Sequence, residues 1–194
     1  MLLRTSLLVN GILFSREALH TIKQKHIDQL EECDKIFMRR LFESEQGTPI
    51  ESFYLETSAW PLRFILMGRK LMYYWTLVHK SDKELVKSVF NAQRDFPSKN
   101  KDDWSSEMLG VLKECNIPYS DEQIKSMTKL KFKSIVEEKI QVKVLAYLIE
   151  LQNKHSKSQN LHLNKSMHKY LLCDELSTQE KHTLFKLRSK MLSI

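Results

Sequence analysis

Apolar positions recur at helical spacing along most of this chain, and most densely in YLETSAWPLRFILMGRKLMYYWTLVHK, Tyr54 to Lys80. Pro61 suits a first helical position, because the N–H it lacks would have been an orphan there. From Pro61 to His79 only Gly68 interrupts the pattern. Leu62, Ile65, Gly68, Met72 and Trp75 form one stripe, and Leu66, Met67, Leu71, Tyr74 and Val78 form a second. A helix apolar on two faces packs on two sides. The pattern therefore predicts a buried central helix over about 61–80. Arg63, Arg69 and Lys70 fall within the stretch and would be costly in lipid, which argues for a core helix and against a membrane span.

Other segments read the same way. Leu2–Phe14 is an apolar first segment, and Ile22–Phe42 a long amphipathic helix with Ile27, Leu30, Asp34, Phe37 and Leu41 on one stripe. A short helix is expected from Thr48-Pro49 to about Glu56. Another follows Ser81-Asp82 with Leu85, Val86, Val89 and Phe90 turned inward. Pro97 and the polar run Ser98–Asp103 mark the best internal boundary. Beyond it come a helix from Trp104 to Asn116, a short one from Ser120, and a second long one over about Thr128–Asn153. In that helix Phe132, Ile135, Val136, Ile140, Val144, Tyr147, Leu148 and Leu151 form the apolar stripe. Leu161–Leu172 is irregular or briefly helical, and a last helix runs from Thr178 to about Met191. Five Ser/Thr-x-x-Glu/Gln pairs, Thr21/Gln24, Thr48/Glu51, Ser81/Glu84, Ser120/Gln123 and Ser177/Glu180, fit the capping-box pattern at helix starts.

Composition strengthens the all-α reading. Gly 4 and Pro 4 in 194 residues leave few turn formers for strand reversals. Three cysteines, Cys33, Cys115 and Cys173, show no paired spacing, so the chain is expected to be reduced and intracellular, in nucleus or cytoplasm. The start, MLLRTSLLVNGILF, is broken by Asn10-Gly11 and lacks a cleavage motif, so it reads as a core helix and not a signal peptide.

Charge adds an asymmetry. Residues 1–124 carry a net −1 and residues 125–194 a net +8, together the overall +7. An excess confined to one segment suits a polyanion-facing surface. The plainer reading is a solvated lysine face.

Motifs for chemistry are missing. His20/His26 and His162/His168 are six apart, off the spacing that puts two ligands on one helix face. Glu31-Glu32 and Glu137-Glu138 are adjacent and diverge. There is no nucleophile elbow, glycine-rich phosphate loop or evident Cys–His pair. No catalytic residue, metal site or cofactor is expected. What remains is recognition, through Arg39, Arg40, Arg63, Arg69 and Lys70, a lysine face with Lys129, Lys131 and Lys133, and a basic loop with Lys154 and Lys157. Cations interleaved with Phe132, Tyr147 and Tyr170 fit phosphate tracking and base stacking without selecting DNA or RNA.

The order of the blocks carries a resemblance. VNGILFSREALHTI (Val9–Ile22), IDQLEECDKIFMRRLF (Ile27–Phe42), Thr48–Lys80, Leu85–Trp104, NIPYSDEQIKSMTKLKFKSIVEEKI (Asn116–Ile140), HSKSQNL (His155–Leu161), KYLL (Lys169–Leu172) and LFKLRSKML (Leu184–Leu192) cover nearly the whole chain. In that order they resemble the region after the palm in reverse transcriptases of non-LTR, LINE-like retrotransposons. The resemblance implies a helical thumb over 1–97 and a basic helical linker over 98–194, gripping a template–primer duplex through its phosphates. Arg39, Arg40 and the Pro61–Lys80 helix would belong to the thumb, and the lysine-rich half to the linker. The family's paired palm aspartates are missing from this sequence, so no enzyme is expected. Nor is the Cys/His zinc-binding segment that usually follows the LFKLRSKML block present, so the chain looks like a truncated element. The implied partners are an RNA–DNA hybrid or duplex, contacted without sequence preference, and the catalytic core of a reverse transcriptase. A helical protein–protein interaction module and an inert relic are the alternatives.

Overall fold

Helix-forming periodicity without strand alternation yields an all-α chain. A computed structural model describes residues 4–14, 18, 24–95, 103–117, 120–154 and 167–189. Among these residues there are ten α-helices, one π-helical segment and no strand. The π-helical segment Arg4–Val9 runs into α1 (Asn10–Ile12). Then follow α2 (Gln24–Leu41), α3 (Ile50–Thr57), α4 (Leu62–His79), α5 (Leu85–Asp95), α6 (Trp104–Glu114), α7 (Asp121–Lys125) and α8 (Lys129–Lys154). Two more complete the series, α9 (Lys169–Leu172) and α10 (Thr178–Arg188).

The chain divides into two compact units. The first consists of Met1–Ile12, Asp28–Leu62 and Lys143–Ile194, the second of Leu13–Ile27 and Arg63–Val142. The boundary expected at 97/98 falls in residues 96–102, which lie outside the described set. The first unit is held together by long-range packing. Phe185 of α10 stacks on Phe53 of α3 at 5.0 Å between ring centroids and meets Phe42 at 4.6 Å. With Met38 these rings form a dry cluster. Arg188 clamps Glu56 with Nε 2.9 and 3.1 Å from the two carboxylate oxygens, across 132 residues of sequence.

The first unit also holds a buried charge network. The Arg4 guanidinium meets both Asp34 oxygens, at 2.7 and 2.6 Å, and donates to the Trp60 carbonyl at 2.9 Å. The Tyr54 hydroxyl donates to Asp34 at 2.8 Å. Burial opposes the Arg4 charge, and the hydrogen bonds and charge of Asp34 more than offset it, so the Arg4 pKa rises.

The second unit is organised by α4, the helix the apolar pattern put at its centre. Along its 18 residues only His79 is exposed. Gly68 lies where an added Cβ would come 3.2 Å from Ile140 Cδ1, so its lack of a side chain lets α8 approach closely. Tyr74, Phe90 and Trp104 pack as an aromatic trio, with centroids 5.5 to 6.3 Å apart. Of the expected α8 stripe, Phe132, Val136, Ile140, Val144 and Leu148 are buried, while Ile135, Tyr147 and Leu151 are half-buried.

On α5 the inward face is not the expected one. Leu85 and Val89 are 80% and 50% exposed and Val86 is 38% exposed, whereas Phe90 and Lys87 are buried. Lys87 solves this by lying along the core edge, donating from Nζ to the Val78 carbonyl at 3.3 Å, with Nζ 5.0 Å from the Phe90 ring centroid. Desolvation lowers its pKa. Capping is also more selective than the motif count suggests. Ser177/Glu180 forms the full reciprocal box. Ser120 makes no side-chain cap, and the cap position of α3 is Pro49 and not Thr48. At Ser81 the Glu84 carboxylate accepts from the Ser81 N–H at 3.3 Å, and Ser81 Oγ accepts from Lys83 N at 3.4 Å, ahead of a helix that starts at Leu85. Thr21 lies outside the described residues. An unforeseen cap is Asp103, which accepts from the Ser106 N–H at 2.8 Å to start α6.

Candidate nucleic-acid interface

A cation can bind a phosphate only if its charge is exposed and not already spent, and the ten sequence-selected cations divide on that criterion. Lys70 is 4% exposed and pairs with Glu107 at 2.7 Å, so its charge serves the interior of the second unit. Arg69 donates to the Leu13 carbonyl at 3.3 Å and is half-buried. Arg63, also half-buried, lines a cavity of about 350 Å³ with Phe64, Met67, Glu107 and Glu114. In the first unit Arg39 donates to the Thr48 carbonyl at 3.1 Å and closes the turn after α2, while Arg40 is exposed in the same last helical turn. Lys154 ends α8 in an exposed pair with Glu150 at 2.6 Å. Lys157 lies outside the described residues.

Lys129, Lys131 and Lys133 share one helix start, though at i, i+2 spacing they project to different sides of it. All three are exposed on the first turns of α8, and Lys125 is exposed four residues before Lys129, at the end of α7. The α7–α8 connection is short and ordered by capping, with Thr128 accepting through Oγ1 from the Lys131 N–H at 3.3 Å. Lys133 faces Glu137 at 3.6 Å with both side chains more than half exposed. Such an i, i+4 pair contributes only about 0.3–0.5 kcal/mol, which leaves Lys133 free to exchange that partner for a phosphate. This junction carries exposed cations on more than one side of the start of α8, within the second unit.

The aromatic residues first matched to these cations do not serve them. Phe132 is fully buried. Tyr147 borders a small recess with Asp28, Glu31 and Glu32, an acidic setting that repels phosphate. Tyr170 lies under the Arg188 guanidinium, 6.0 Å from ring centroid to Cζ, and burial together with the Glu56 carboxylate pushes its phenol pKa well up. A different aromatic pair does border the basic junction. Trp75 Nε1 donates to the Met127 carbonyl at 3.4 Å, two residues before Lys129. His79 stacks on Trp75 with ring centroids 3.9 Å apart and planes at 25°. The sequence signal for this pair was its i, i+4 spacing, which reading Trp75 as a core residue had absorbed.

Among the described residues no group of three or more His, Cys, Asp or Glu side chains is placed to hold a metal ion, and no helix is long and apolar enough to cross a membrane. No family model, curated protein or solved structure matches this chain.

Proposed function

We propose that this chain is a non-catalytic, nucleic-acid-contacting element of the kind that follows the palm in non-LTR retrotransposon reverse transcriptases, binding a hybrid or duplex through its phosphates. The observation that carries the reading is the run of exposed lysines at the α7–α8 junction, Lys125, Lys129, Lys131 and Lys133, within the segment that holds the net +8. Lysines held by a helix but with mobile ends suit sequence-independent phosphate contact, since each is a point charge with rotatable donors.

The test is a salt series of binding to an RNA–DNA hybrid, a DNA duplex and single strands, followed by fluorescence anisotropy. Phosphate contact predicts that log affinity falls linearly with log salt, with a slope of about −0.9 per phosphate on B-DNA. Reversing Lys129, Lys131 and Lys133 to Glu should weaken binding to every sequence about equally and flatten that slope by up to about three contacts. An absence of binding at low salt by the folded chain would sink the reading. A second reading, a helical protein–protein interaction module, draws on one feature, the exposed Leu85, Val86 and Val89 of α5. It predicts partner binding that is insensitive to salt and lost in Leu85→Ser, Val89→Ser.

A further inference from the structure

We infer that Trp75 and His79 form a stacking step for an unpaired base of the strand whose phosphates lie on Lys125–Lys133, an inference that rests on the nucleic-acid reading above. The two rings are one helical turn apart on α4, and both are fixed. Trp75 is tied to the α7–α8 connection through Met127. The His79 Nδ1 lies 2.9 Å from the Trp75 carbonyl oxygen. A carbonyl only accepts, so Nδ1 carries a proton and the ring has little freedom to rotate away. One face of the imidazole is covered by Trp75, and among the described residues no second ring covers the other. His79 is the one exposed residue of α4.

Position decides what such a ring would take. Met127 and Lys129 are two residues apart, so their Cα atoms are no more than about 7.6 Å from each other. Trp75 therefore sits against the connection that leads into Lys129, on the same unit as the lysines, and one strand that placed its phosphates on those cations could bring a base to the ring pair. A flat π-face accepts any base, and it does so only for a base not enclosed in a duplex stack. A strand with an unpaired end or overhang is thus the preferred ligand at this step.

The full chain is titrated with a single strand carrying 2-aminopurine, with a duplex bearing a 2-aminopurine overhang, and with a blunt duplex. Wild type is expected to quench 2-aminopurine on binding. His79→Ala, which alters an exposed side chain, should lose the quench and weaken overhang and single-strand binding roughly 5- to 100-fold. It should leave blunt-duplex binding and the salt slope unchanged. His79→Phe restores stacking and His79→Lys does not, which separates ring from charge. Retained quench and unchanged affinity in His79→Ala, with a steep salt slope still present, would overturn the stacking step and leave the phosphate reading standing. A wild-type chain without salt-dependent binding would instead remove the reading on which the step rests.

Discussion

Asp34 occupies a position on the apolar stripe of α2 where a carboxylate would be ruinous without partners. Arg4 and Tyr54 supply them, and Arg4 is held in turn by donating to the Trp60 carbonyl. Removing one member of a buried pair leaves the other uncompensated, at about 3–5 kcal/mol. Asp34→Ala should therefore lower the urea midpoint sharply, whereas Tyr54→Phe, which removes one donor, should cost about 1 kcal/mol. The stripe position of Asp34 was legible in the sequence. Its partner was not, because Arg4 lies 30 residues away inside a segment that reads only as apolar. Tyrosines give a second residue-scale prediction. Burial and then Asp121 push Tyr74 up to about 12, and burial with Asp34 also pushes Tyr54 well above its ordinary value. A phenol whose folded pKa exceeds its unfolded value contributes stability that is full below pH 10 and lost as pH rises through the folded pKa. Absorbance at 295 nm and circular dichroism, followed together from pH 9 to 12.5, should show these phenols ionising only as helicity falls. Tyr74→Phe should reduce that alkaline loss.

Helices as elements were readable because period and punctuation agreed over long runs; α4 and α8 lie within a residue or two of the expected spans. Which face turns inward was readable only where the apolar stripe was broad. On α5 hydropathy turned Leu85, Val86, Val89 and Phe90 inward, whereas packing kept only Phe90 and added the stem of Lys87. A buried lysine satisfied by a backbone carbonyl has no signature in sequence. The inward face can be checked directly. Phe90→Ala should cost about 3–5 kcal/mol, while Leu85→Gln should change stability by no more than about 0.5 kcal/mol; thermal melts of the two variants separate the faces. At α10 the reciprocal cap predicts that Ser177→Ala loses about 1 kcal/mol. The hydrogen bonds of Ser177 also hold the Glu180 carboxyl below its ordinary range. That contribution is present above the ordinary glutamate pKa and fades as pH falls through the lowered one.

At the scale of the molecule, charge asymmetry was legible and the assembly of units was not. The basic excess of residues 125–194 needed only counting. Which cations are exposed needed coordinates, since Lys70 and Lys129 look alike in sequence and differ in whether a glutamate encloses them. The same holds for Phe185, whose ring completes the cluster of Met38, Phe42 and Phe53. Phe185→Ala is expected to lower the stability of the first unit by about 3–5 kcal/mol, read as earlier hydrogen exchange of α3 amides while α4 amides of the second unit keep their protection.

The Arg188–Glu56 clamp sets a timetable for the nascent chain. Ribosomes add about 5–20 residues per second, so the 132 residues between the two partners take roughly 7 to 26 seconds to make. During that interval Phe53 and Glu56 have left the ribosome without the ring and guanidinium that will cover them. The second unit, whose residues all precede Lys143, is complete well before. Folding on the ribosome is thus ordered inside-out along the sequence. The earliest-made helices of the first unit wait, with Phe53 uncovered, for the α10 helix to arrive.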